Sequence, residues 1–257
     1  MIANLHTHTP RCNHAWGTEA EYVACALEAG LEILGFSDHS PYVFPGSYYS
    51  HFRMRPEQLE DYVTTVLALR EQYKDRIRIP LGLELEYYPA LLPQLLPILK
   101  DQPLDYLILG QHCLGNEVND HYSGRATGDK NHLERYCDQV IEAMQTGLFT
   151  YFAHPDLLNY VGDDAAFYRS QMRRLCREAA QCGIPLEINL LGMLEGKHYP
   201  STRFWEAAAE ENCAVVLGRD AHEPRQLLES SYEQRALEMV KQYGLTLLQT
   251  VPLRKPW

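Results

Sequence analysis

Short apolar runs alternate with stretches of helical period along the whole chain, and this alternation is what most restricts its fold. The runs lie at roughly 2–7, 31–37, 77–85, 104–111, 148–153, 184–190 and 213–218. Most are continuously apolar, the pattern of parallel strands covered on both faces. Between them, Thr18-Glu19-Ala20-Glu21 is a capping box that opens a helix over 22–29, ended by Gly30. The stretch 56–73 begins with Pro56 at a first-turn position and sets Leu59, Val63, Val66, Leu67 and Leu69 on a helical stripe. Further helices are predicted over 131–146, 164–182, 202–211 and 224–242. Strand–helix alternation implies right-handed βαβ units and a parallel sheet. About seven units in 257 residues fit a closed or nearly closed α/β barrel, one domain over 1–257, better than an open sheet.

Composition narrows the partners. Lys and Arg number 23 against 34 Asp and Glu, a formal charge of −11. That balance argues against a nucleic-acid or membrane-surface binder but leaves room for a local basic pocket. The seven cysteines are scattered and form no C-x-x-C pair, as expected of a reduced, cytoplasmic protein. No leader segment and no apolar run of spanning length is read from the chain. Nothing in the sequence indicates an oligomeric state.

Metal-binding residue types recur where the strands end. The pieces are Leu5-His6-Thr7-His8 with His14 after it, Ser37-Asp38-His39, Gly82-Leu83-Glu84, Gly110-Gln111-His112, Ala153-His154-Pro155-Asp156 and Gly218-Arg219-Asp220-Ala221-His222. Imidazoles and carboxylates are the ligands that borderline and hard divalent cations take. Residues i and i+2 of a strand point the same way, so His6 and His8 reach one ion together, and Asp220 with His222 repeats the spacing. A lone histidine is ordinarily structural, and His51, His121, His132 and His198 stay at or only slightly above that level. Ligands at six successive strand ends are hard to explain by packing. Glu86, Asp38 and Asp156 flank these positions and read equally as ligands, as carboxylates orienting an imidazole, or as helix caps.

In this order, the motifs resemble the polymerase and histidinol phosphatase (PHP) family, over residues 6 to 222 and nearest its stand-alone histidinol-phosphate phosphatase branch. The resemblance implies a distorted (β/α)7 TIM-like barrel holding two to three divalent metal ions, zinc, manganese or iron. It also implies the ligand sets: His6, His8, Glu84 and Asp220 for one metal; Glu84, His112 and His154 for a second; His14, His39 and His222 for a third.

The expected chemistry is hydrolysis of a phosphomonoester by water activated between two metals, most closely L-histidinol phosphate to L-histidinol and phosphate in histidine biosynthesis. Glu84 and Asp220 are the carboxylates at the centre, and Asp38 is the candidate general acid. The loops 40–55 and 113–130 read as a lid or substrate wall. Strand alternation turns Arg219 toward the barrel wall, so Arg125 is the better-placed phosphate ligand. The segment from Glu187 to Ser201 resembles the family's, but Met193 stands where histidinol-phosphate phosphatases tend to place Arg, leaving Lys197 and His198 as candidates there. Competing readings are another small phosphomonoester or nucleotide, a phosphodiester end, an amidohydrolase-like barrel, and a non-catalytic metal-binding module. No lysine occupies a strand end, against the amidohydrolase reading, and every motif is filled, against the last.

Overall fold

The computed structural model describes residues 1–119 and 122–257; Asp120 and His121 lie outside the described residues. Its strands are β1 (Ala3–Asn4), β2 (Ile33–Leu34), β3 (Gly82–Leu85), β4 (Tyr106–Leu109), β5 (Tyr151–Phe152), β6 (Leu186–Asn189), β7 (Ala214–Gly218) and β8 (Thr246–Leu247). The helices between and after them are α1 (Glu19–Glu28), α2 (Leu59–Tyr73), α3 (Leu92–Lys100), α4 (Lys130–Gln145), α5 (Ala165–Gln181), α6 (Leu190–Leu194), α7 (Thr202–Glu210) and α8 (Ser231–Tyr243). All strand pairs are parallel, in the orders β1-β2 and β3-β4-β5-β6-β7-β8.

Among the described residues no continuous ladder closes the ring. Isolated bridges span the two gaps: Ile33↔Arg78, Phe36↔Leu81 and His39↔Glu84 link β2 to β3, and Thr7↔Ala221 links the ends of β1 and β7. At that last point His8 N–H donates to Ala221 O at 2.9 Å and Ala221 N–H to His6 O at 3.2 Å. The fold is thus a distorted (β/α) barrel, with the strand ends drawn together at its C-terminal rim. The strand expected over 77–85 is regular only from Gly82, because Pro80 offers no N–H to a ladder.

Thr18 and Glu21 form the expected capping box at the start of α1. Helix α3 departs from the sequence reading, which placed no helix there. Pro93 and Pro97 disguise it, yet Leu92, Leu95 and Leu99 still form a buried stripe. The helix expected over 224–242 is a 3-10 turn, Pro224–Leu228, followed by α8. One apolar cluster lies between strands and helices. A second, of Leu5, Tyr106, Ile108, Tyr151, Ala153 and Val216, fills the barrel, and Leu248, Val251 and Leu253 pack against it. With the interior filled, the rim is the part of the barrel left for a site.

Candidate metal centre

At the rim the expected ligands come together. His6, His8, His39, Glu84, His154 and Asp220 are buried, His112 and His222 are partly so, and His14 is the exposed member. All but His6 and His8, which are fully buried, line a cavity of about 490 Å³, whose walls include Tyr48, His51 and Phe52 from the loop 40–55 and Cys113, Glu117 and Tyr122 from the loop after β4.

Glu84 is the hub. Its Oε1 lies 2.8 Å from His154 Nε2 and 3.7 Å from His112 Nε2. Its Oε2 lies 3.1 Å from His39 Nδ1 and 3.5 Å from both His6 Nε2 and His8 Nε2. One carboxylate therefore faces two groups of imidazoles, one per oxygen. Gly110 makes this approach possible: a Cβ there would stand 1.8 Å from Glu84 Oε1. Asp220 Oδ1 lies 3.1 Å from His8 Nε2 and 3.3 Å from His6 Nε2. His154 and Asp220 both have left-handed backbones, φ 31° and 51°. Such strain in non-glycine residues concentrates at functional sites.

Carboxylates behind the ligands set their tautomers. His6 Nδ1 donates to Glu187 Oε2 at 2.8 Å, and His112 Nδ1 to Glu86 Oε1 at 2.9 Å. Each proton so held leaves Nε2 as a lone pair facing the centre, the arrangement of carboxylate–histidine–metal sites. Asp38 Oδ1 stands 3.5 Å from His8 Nδ1, and Asp38 also accepts from Thr9 Oγ1 and His39 N–H. Asn4 ties two strand ends by accepting from Arg219 N–H at 2.8 Å and donating to Thr7 Oγ1 at 2.8 Å.

Does this donor set fit a cation? Three observations say that it does. Buried His6 Nε2, His8 Nε2, His39 Nδ1 and Glu84 Oε2 have no hydrogen-bond partner, a costly condition unless something binds them. His14 Nδ1 donates to Cys12 O and His222 Nδ1 to Asp220 O, so their Nε2 lone pairs meet head-on, 2.9 Å apart. A shared proton or a bound cation relieves that. Ligand atoms of His14, His39 and His222, of His6, His8 and Asp220, and of His6, Glu84 and His154 each gather within 4.8 Å.

The electrostatics agree. Burial opposes ionisation of Glu84 and Asp220, yet the surrounding imidazoles hold both carboxyls well below their ordinary range. Burial likewise disfavours charge on His6, but without a metal Asp220, Glu187 and Glu84 carry it up to about 10, so a cation binding at Nε2 would displace a proton there. His222, desolvated and beside His8, is pushed down to about 3. The site wants positive charge that its imidazoles cannot all supply.

Residues expected to bind substrate or move protons are placed less favourably. Asp38 is buried behind His8 and does not line the cavity, so the geometry gives it orientation rather than proton donation. Arg125 is exposed and outside the cavity lining. His198 turns its Nε2 to Leu157 O at 2.7 Å and is also outside the lining; its neighbour Tyr199 lines the wall instead. Lys197 does line it, with Nζ 3.0 Å from Glu195 Oε2. Arg219 faces away, toward Glu233 at 2.8 Å. Met193 packs against the core. Asp156 accepts from Ser201 N–H at 2.6 Å. Sequence reasoning gave Glu187 no role, although a carboxylate inside an apolar strand is itself a signal, since it needs a partner there.

The PHP domain model matches residues 4–190. A probable histidinol-phosphatase of Deinococcus radiodurans is 34% identical over 231 residues, 87% of each chain. A probable histidinol-phosphatase of Schizosaccharomyces pombe is 25% identical over 252 residues, 88% of this chain and 82% of that one. Among solved structures, the histidinol phosphate phosphatase of Lactococcus lactis, complexed with zinc, L-histidinol and phosphate, superposes with a TM-score of 0.77 over 99% of this chain and 98% of that one, at 21% identity. With a family model covering most of its length and a relative of this identity along nearly all of it, the chain belongs to the PHP domain family.

Proposed function

We propose that this protein is a metal-dependent phosphomonoesterase that hydrolyses L-histidinol phosphate to L-histidinol and phosphate. The observation that carries the chemistry is the Glu84 carboxylate, one oxygen toward His39, His6 and His8 and the other toward His154 and His112. A carboxylate so flanked is suited to two cations side by side. In this reading His6, His8, Glu84 and Asp220 hold one metal, Glu84, His112 and His154 a second, and His14, His39 and His222 a third. Zinc, manganese and iron all suit such ligands. When bound, the metals supply Lewis acidity, neutralising charge on the phosphoryl group and lowering the pKa of water.

The protein's own part is arrangement. Glu187 and Glu86 hold the Nδ1 protons of His6 and His112 away from the centre. Asp38 and Thr9 brace His8. Phe52, Leu157 and Leu191 line the wall left for the organic part of the substrate. The histidinol assignment draws on the names of relatives such as the Deinococcus protein.

A second reading, another small phosphomonoester or nucleotide, is favoured by Met193 and by the cavity lining, in which Lys197 is the cation among the described residues. Phosphate release from L-histidinol phosphate, a panel of other monoesters and p-nitrophenyl phosphate separates the two. Turnover confined to L-histidinol phosphate is expected. Comparable kcat/KM across the panel would move the protein to the second reading.

A further inference from the structure

The wall above the metal floor holds a hydroxyl that nothing so far employs. Tyr199 lines the cavity and is 7% exposed. Its hydroxyl makes no hydrogen bond with the described residues. Unlike the hydroxyls of Tyr22 and Tyr88, which are shut in without a partner, it is open to a partner from the cavity. It is also held in place. The ring packs on Gly192, where a Cβ would stand 2.5 Å from it, and its centroid is 6.3 Å from that of His154. Asp156, two residues past His154, accepts from Ser201 N–H at 2.6 Å, binding the Tyr199 segment to the strand end that carries a ligand. A phenol is a neutral proton donor at every working pH.

What lies on that floor is anionic under the reading above, and the guanidinium expected to meet it is missing. Met193 is packed against the core, while Arg125 lies outside the lining. We infer that the Tyr199 hydroxyl donates a hydrogen bond to a non-bridging oxygen of the substrate's phosphoryl group, taking the place of an arginine. This rests on the proposed phosphomonoesterase activity and names a phosphate-binding residue for it. A fixed neutral donor loses little rotamer entropy and adds no charge to a floor already crowded with cations.

The test is Tyr199→Phe, which removes one oxygen and keeps the ring on Gly192. A donor to an anionic oxygen is worth roughly 10- to 100-fold in binding. In metal-loaded protein, inorganic phosphate should bind that much more weakly to the variant by calorimetry, with metal content and Tm unchanged. Where turnover is measurable, kcat/KM should fall by a similar factor for L-histidinol phosphate and p-nitrophenyl phosphate alike. Unchanged phosphate affinity would overturn the inference, as would a loss confined to L-histidinol phosphate, which would put the hydroxyl on the organic part. Should the wild type hydrolyse no phosphomonoester, the functional reading fails, and the calorimetric comparison still decides for or against Tyr199.

Discussion

Replacing Glu187 with Gln probes the centre without touching a ligand. The carboxylate accepts three hydrogen bonds: from His6 Nδ1 at 2.8 Å, from Asn189 Nδ2 at 2.7 Å and from His154 N–H at 3.3 Å. An amide has one acceptor oxygen. If that oxygen keeps His6, the new NH2 faces two donors, Asn189 Nδ2 and His154 N–H. If the amide turns over, its NH2 faces His6 Nδ1 and drives the imidazole proton onto Nε2, the atom aimed at the metals. The side chain cannot swing clear, since Gly218 is already packed so closely that a Cβ there would be 2.0 Å from Glu187 Oε2. Loss of such an orienting carboxylate weakens metal binding about 10- to 100-fold, about 1.4–2.8 kcal/mol. Competition against a chelator of known affinity reads this directly. Metal affinity within twofold of wild type would refute the claim that Glu187 sets the His6 tautomer.

Other positions give separate checks. Arg53 is buried between Glu86, at 2.9 Å, and Glu117, so Arg53→Met leaves two buried carboxylates without their cation. The expected loss is about 3–5 kcal/mol, seen as a fall in Tm of roughly 10 °C; a change within error would contradict the burial of these charges. Burial pushes the Asp156 carboxyl up to about 7, against a Ser201 N–H that works the other way. A carboxyl raised in the folded state favours folding while protonated, so its contribution is full below about pH 4 and is lost as pH rises through about 7. Relative to Asp156→Asn, wild-type stability by chemical denaturation should therefore decline across that window, and parallel curves would exclude the shift. Lys197 is half exposed and paired with Glu195. Lys197→Ala should raise KM a few-fold with metal content unchanged, whereas an unaltered KM would remove it from the phosphate site.

The site was more legible than its supports. Strand-end ligands show in sequence because the barrel collects every strand's C-terminal end at one rim, so His6, Glu84, His112, His154 and Asp220 need no register to be grouped. Partners standing behind them do need it. Glu187 reaches His6 across the closure of the ring, and Asp38, adjacent to His39 in sequence, turns to His8. Side-chain direction in loops is likewise invisible to spacing: His198 sits near the site in sequence and turns to Leu157 O, while Arg125 stays outside the cavity lining. Among the elements, α3 was hidden because two prolines outweighed its apolar stripe, and β8 because two residues carry no period.

The most direct test of the account titrates divalent metal into metal-free protein while counting bound ions and following p-nitrophenyl phosphate hydrolysis on the same sample. Activity should rise with occupancy and level off at two to three ions per chain, and Glu84→Ala should lose both tight binding and orders of magnitude in turnover. Full hydrolysis without bound metal, or a Glu84→Ala protein that keeps both its ions and its rate, would contradict it.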